Sequence, residues 1–99
     1  MLLIKNANLV LENGILWDSA LLIADDRIVA FGNEAELSVP ADVQTIDANG
    51  LYVGPGFVDI HVHGGGGRDF MEGTEDAFRT AVDAHMQHGT TSIFPTLSS

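Results

Sequence analysis

The seven residues Phe57-Val-Asp-Ile-His-Val-His63 set the strongest constraint on what this chain can fold into. Successive side chains of an extended strand point to opposite faces, so Val58, Ile60 and Val62 share one face while Asp59, His61 and His63 share the other. The first face is entirely β-branched, which suits a buried pleated surface. Gly54-Pro55-Gly56 precedes the strand and marks a break, because proline fixes its own φ and glycine permits a sharp change of direction. After the strand and the glycines 64 to 67, the run Thr74 to Gly89 reads as a helix. Thr74 is its N-cap, Glu75 and Asp76 lie in its first turn, a glycine ends it, and Phe78, Ala81, Val82 and Met86 form an apolar stripe. A β-rich run, Thr91–Thr96, follows. Strand, helix and strand in that order predict a βαβ unit with a parallel sheet, in which Val58, Ile60 and Val62 form the face that receives helices.

Residues 1–53 carry a different rhythm. Short β-prone runs, Leu2–Val10, Ile15–Trp17, Ala20–Ala24, Arg27–Phe31, Thr45–Asp47 and Leu51–Val53, are separated by turn signals such as Glu12-Asn13-Gly14, Asp25-Asp26, Gly32-Asn33 and Asn49-Gly50. The pattern predicts a small antiparallel sheet, with one helical turn over Asn33–Leu37. Two units are therefore expected, 1–53 and 54–99, without internal repeats.

Charge narrows the partners. Fourteen acidic residues against four basic give a formal net charge of -10, a field that repels nucleic-acid backbones and anionic membrane surfaces. Neither is an expected partner. A phosphorylated metabolite stays open, since a local nest of backbone N–H groups or a metal outweighs distant charge. The chain has no cysteine, so a metal would be held by His, Asp or Glu. Lys5, Asn6 and Asn8 interrupt the apolar start well short of a signal-peptide core, and no apolar run is long enough to span a bilayer, so the expected location is the cytoplasm.

The candidate site is the polar face of residues 57–63. His61 and His63, two apart, leave the strand on the same side and can converge on one divalent ion, for which neutral imidazole favours Zn or Fe. Both lie at the carboxyl end of the strand, where parallel α/β folds place their active sites. An isolated HxH is most often an ordinary polar pair; here Asp59 on the same face, the preceding Gly-Pro-Gly and the glycines that follow tip the balance toward metal ligation. Asp59 has two roles open to it, orienting a histidine or making local hydrogen bonds. Gly64, Gly65, Gly66 and Gly67 form a candidate substrate loop, although such runs more often only turn the chain. Arg68 is a candidate phosphate contact set against a solvated loop arginine, whereas His85 and His88 read as surface or packing residues of the helix.

Pro55-Gly-Phe-Val-Asp-Ile-His-Val-His63 resembles the first barrel strand of the amidohydrolase superfamily, in which HxH supplies metal ligands. The continuation through Gly64–Gly67 and Gly89-Thr-Thr-Ser-Ile-Phe-Pro-Thr-Leu97 is similar to N-acetylglucosamine-6-phosphate deacetylases. The resemblance implies an α/β fold with a small β-sandwich, of which 1–53 would be the N-terminal part and 54–99 the first βαβ unit of a TIM-like barrel. It implies a homodimeric, full-length parent in amino-sugar catabolism, removing acetate from an amino sugar phosphate with a divalent metal. No catalytic residue is assigned within these residues. The general-base Asp and the remaining ligands would lie beyond Ser99, so the 99 residues alone are expected to be inactive. Two alternatives stand beside this reading: a cyclic-amide hydrolase of the dihydroorotase or dihydropyrimidinase kind, and a non-catalytic metal-binding or assembly module.

Overall fold

The computed structural model describes residues 1–97, so the last two residues of the second expected unit, Ser98 and Ser99, lie outside the described residues. The chain divides into two compact units, Met1–Pro55 and the residues from Gly56 on.

The first unit is a five-stranded sheet of β1 (Leu2–Leu11), β2 (Gly14–Ala24), β3 (Arg27–Gly32), β4 (Gln44–Asp47) and β5 (Tyr52–Val53). Its order is β3-β2-β1-β4, with β5 also on β1. The sheet is mixed, which corrects the antiparallel expectation. β1–β2 and β2–β3 are antiparallel hairpins, but β4 and β5 pair with β1 in parallel. Residues 33–43 carry the crossover that parallel pairing requires. Part of that crossover is a 3₁₀ turn over Glu34–Glu36, started by Asn33, whose side chain accepts the Ala35 N–H at 3.0 Å. Leu37, Val39 and Val43 from the same segment pack on the buried Leu3, Ala20 and Leu22.

Two expected strands, Ile15–Trp17 and Ala20–Ala24, are one strand. Asp18 takes φ 50° in its middle, and its N–H reaches Asn8 Oδ1 at 3.0 Å, so the irregularity is absorbed without ending the strand. On β1 the matching irregularity is Asn6 at φ 53°, beside the turn at 48–51 that separates β4 from β5. Asn6 donates from Nδ2 to Asp47 Oδ1 at 3.0 Å, and its carbonyl accepts the Gly50 N–H at 2.7 Å. Asparagine and aspartate tolerate this left-handed conformation better than other non-glycine residues, which is why they stand at these points.

The second unit contains β6 (Phe57–Val62), a hairpin of β7 (Gly64–Gly65) and β8 (Arg68–Asp69), a 3₁₀ turn (Phe70–Glu72), α1 (Glu75–Met86) and β9 (Thr90–Pro95). β6 and β9 pair in parallel with α1 between them in sequence. Thr74 caps α1 by accepting the Ala77 N–H at 3.1 Å, and Gly89 at φ 97° turns the chain into β9. The core is Val62, Phe70 and Ala81, with Phe78, Val82 and Ile93 packed against it.

The apolar face of β6 differs from expectation. Val62 is buried, but Val58 and Ile60 are 59% and 73% exposed, and Met86 of the predicted helix stripe is exposed as well. The register between β6 and β9 shifts twice, between Phe57 and Val58 and between Asp59 and Val62. α1 and Phe70 cover only the carboxyl end of β6. Among the described residues no helix is long and apolar enough to cross a membrane.

Candidate metal-ligating strand

At the carboxyl end of β6 several backbone groups beside the histidines have partners. Asp59 Oδ1 accepts the His61 N–H at 3.1 Å, and Thr96 Oγ1 accepts the Val62 N–H at 3.2 Å. The Val62 carbonyl accepts the Thr96 N–H at 2.7 Å, and the His63 carbonyl accepts the Phe70 N–H at 2.8 Å. Of the two roles open to Asp59, the structure displays the local one, a carboxylate closing on the backbone two residues ahead. Thr96 carries no signal as a site residue in the sequence beyond its place in the Pro95-Thr96 pair.

His61 and His63 are both exposed, and their rings stand edge-to-face with centroids 5.3 Å apart. With Zn–N bonds of about 2.0–2.1 Å and tetrahedral angles, two imidazoles on one ion have ring centres roughly 5 Å apart, a separation this pair matches. Among the described residues no group of three or more His, Cys, Asp or Glu gathers as a cation site. The described residues therefore form no closed site, and His61 and His63 are at most two of the ligands such a site would need. An ion held there would have its other ligands from elsewhere.

The glycines after His63 form a tight hairpin. A Cβ on Gly64 would stand 2.0 Å from the Arg68 carbonyl oxygen, and one on Gly65 would stand 2.8 Å from His85 Nε2. His85 is half-buried, and its Nε2 lies 2.8 Å from the Gly64 carbonyl oxygen. It is a packing residue, as expected of its helix position, but the group it packs on adjoins His63. His88 is exposed.

Arg68 is engaged inside the unit. Its Nε donates to both Glu72 oxygens at 3.1 Å, and Nη1 to Asp76 Oδ2 at 2.7 Å. The Glu72 and then the Asp76 hydrogen bonds raise the guanidinium above its ordinary value, while Arg68 and then the Asp69 N–H hold Glu72 below its own. Glu72 also closes a capping box with Asp69. With two carboxylates on it, Arg68 serves the hairpin and the 3₁₀ turn, and a phosphate would have to displace them.

No protein-family model matches the chain. Among curated proteins it is 42% identical over 84 residues to a dihydroorotase of Staphylococcus epidermidis, a match that covers 80% of this chain and 19% of the relative. Among solved structures it is similar to N-acetyl-D-glucosamine-6-phosphate deacetylase from Mycobacterium smegmatis, with 37% identity and a TM-score of 0.81 over 98% of this chain and 27% of that one. N-acetylglucosamine-6-phosphate deacetylase from Pasteurella multocida matches with 28% identity and a TM-score of 0.85 over 96% of this chain and 25% of that one. The chain thus spans about a fifth of the curated relative and about a quarter of each solved structure. Its mixed α/β fold, mostly strands with one helix, matches their N-terminal part. In shared sequence and fold, the chain is similar to the N-terminal part of enzymes of the amidohydrolase superfamily.

Proposed function

We propose that this chain supplies the first metal-binding strand of a hydrolase that removes acetate from N-acetylglucosamine 6-phosphate. The observation that carries the reading is the His61–His63 pair at a separation suited to one ion, on a chain of which 98% and 96% resemble two deacetylases of known structure. In this reading residues 1–53 are part of a small β-sandwich and residues 54–99 open a TIM-like barrel. The expected cofactor is Zn or Fe, and the protein works as a cytoplasmic homodimer.

A divalent ion, when bound, would supply Lewis-acid activation of the acetamide carbonyl and of a water nucleophile near neutral pH. His61 and His63 would hold it. Asp59, Thr96 and the Phe70 N–H keep the backbone of those two residues from shifting, so the imidazoles need little reorganisation on loading. The Gly64–Gly67 hairpin presents backbone rather than side chains beside them, which suits close approach of a sugar.

The test is acetate release from N-acetylglucosamine 6-phosphate by the metal-loaded protein as it occurs in its source. His61→Ala and His63→Ala are each expected to lower kcat/KM by at least about 10-fold. A second reading, hydrolysis of a cyclic amide, is favoured by the 42% identity to a dihydroorotase. Turnover of dihydroorotate without acetate release would select it. Zinc binding with turnover of neither compound would select the non-catalytic module.

A further inference from the structure

We propose that His85 is a positioning residue: from the last turn of α1 it holds the glycine hairpin, and through it the backbone of His63, in one place. The Gly64 carbonyl can only accept, so the 2.8 Å contact requires the hydrogen on His85 Nε2. Close packing points the same way. A Cβ on Gly65 would meet His85 Nε2 and Cδ2 at 2.8 and 3.0 Å, and one on Gly66 would meet Ala84 Cβ and Thr80 Cγ2, both at 3.3 Å. Glycine is needed at these positions so that the hairpin can lie directly on the helix. The hairpin begins one residue after His63, and the 3₁₀ turn that follows it returns the Phe70 N–H to the His63 carbonyl at 2.8 Å. His85 therefore pins the near end of a short loop whose far end is tied to His63. The consequence for metal affinity rests on the ligand role proposed above for His61 and His63; the consequence for the backbone does not.

The experiment compares His85→Leu, which keeps bulk and removes the donor, with His85→Gln, whose side-chain amide restores a donor at a similar reach. Gly65→Ala intrudes on the same contact from the other side. Amide hydrogen exchange is read at Phe70, whose N–H bonds His63, and at Thr96, whose N–H bonds Val62 from β9. Zinc affinity is read in parallel by competition with a chromophoric chelator. The expected result is Phe70 exchange about 10-fold faster in His85→Leu and Gly65→Ala with Thr96 unchanged, zinc bound about 10-fold more weakly, and both restored by His85→Gln. Unchanged Phe70 exchange in His85→Leu, equal acceleration of Phe70 and Thr96, or no rescue by His85→Gln would each overturn the proposal. A wild-type zinc affinity indifferent to His61→Ala overturns the metal reading instead, and the two amides then decide the role of His85.

Discussion

Both units use short polar side chains to satisfy nearby backbone, but to different ends. In the sheet of residues 1–55, Asn6, Asn8 and Asp47 close irregularities: their hydrogen bonds go to one another, to Asp18 and to the turn at 48–51, and the result is a sheet whose strands run through their own bulges. From Gly56 on, Asp59 and Thr96 make the same kind of contact beneath two imidazoles that are left exposed. One unit uses polar groups to complete a scaffold. The other uses them to fix the backbone beneath the two side chains proposed as ligands, which is the arrangement a metal strand would need.

The contrast is sharpest in the cores. Among the described residues Phe70 is the largest fully buried side chain, and it sits between strand and helix in the second unit. Phe70→Ala is expected to cost about 3–5 kcal/mol in chemical denaturation and to loosen the His63 carbonyl contact with it. A cost below about 1 kcal/mol would mean that the second unit is not organised around this residue. The hairpin supplies the next test. Gly64→Ala drives a Cβ against the Arg68 carbonyl, a backbone atom that cannot swing away, and should cost more than about 2 kcal/mol. Gly67→Ala meets open space at φ +80° and should cost only about 1 kcal/mol of backbone strain. Equal losses at the two positions would show that packing of the hairpin is unimportant.

Smaller effects separate the helix from its surroundings. Thr74→Ala removes the acceptor for the Ala77 N–H and should lower stability by about 1 kcal/mol, read as a shift in the denaturation midpoint. The smallest effect is the pH dependence around Arg68. Because Arg68 holds Glu72 below its ordinary value, Glu72 contributes stability above the ordinary glutamate range and loses it as pH falls through the lowered value. Glu72→Gln should therefore melt below wild type near neutral pH, with the gap closing in acid. A gap that persists unchanged in acid would show that the carboxylate charge is not what couples the hairpin to the 3₁₀ turn.

Local patterns made much of the second unit legible in advance. Thr74, the acids after it and Gly89 mark a helix from sequence alone, and the structure places it at Glu75–Met86. The parallel pairing of β6 with β9 likewise follows from strand, helix and strand in order. What the sequence concealed depends on partners distant along the chain. The parallel docking of β4 on β1 needs the crossover of residues 33–43 to be seen packed on Leu3 and Leu22. The exposure of Val58 and Ile60 reflects how little of β6 beyond Val62 the core of this unit reaches, which alternation does not reveal. At the candidate site, the spacing of His61 and His63 announces itself. The contacts of His85 with Gly64 and of Thr96 with Val62 join residues 21 and 34 positions apart, so only the fold discloses them.

The central claim is that His61 and His63 are ligands of one divalent ion. Zinc binding by the wild-type protein and by the His61→Ala/His63→Ala variant, titrated calorimetrically after removal of metal, tests it most directly. The account predicts a zinc site in the wild type whose affinity falls by at least about 10-fold in the variant, with a similar fold by circular dichroism. Equal affinity in the two proteins would contradict it.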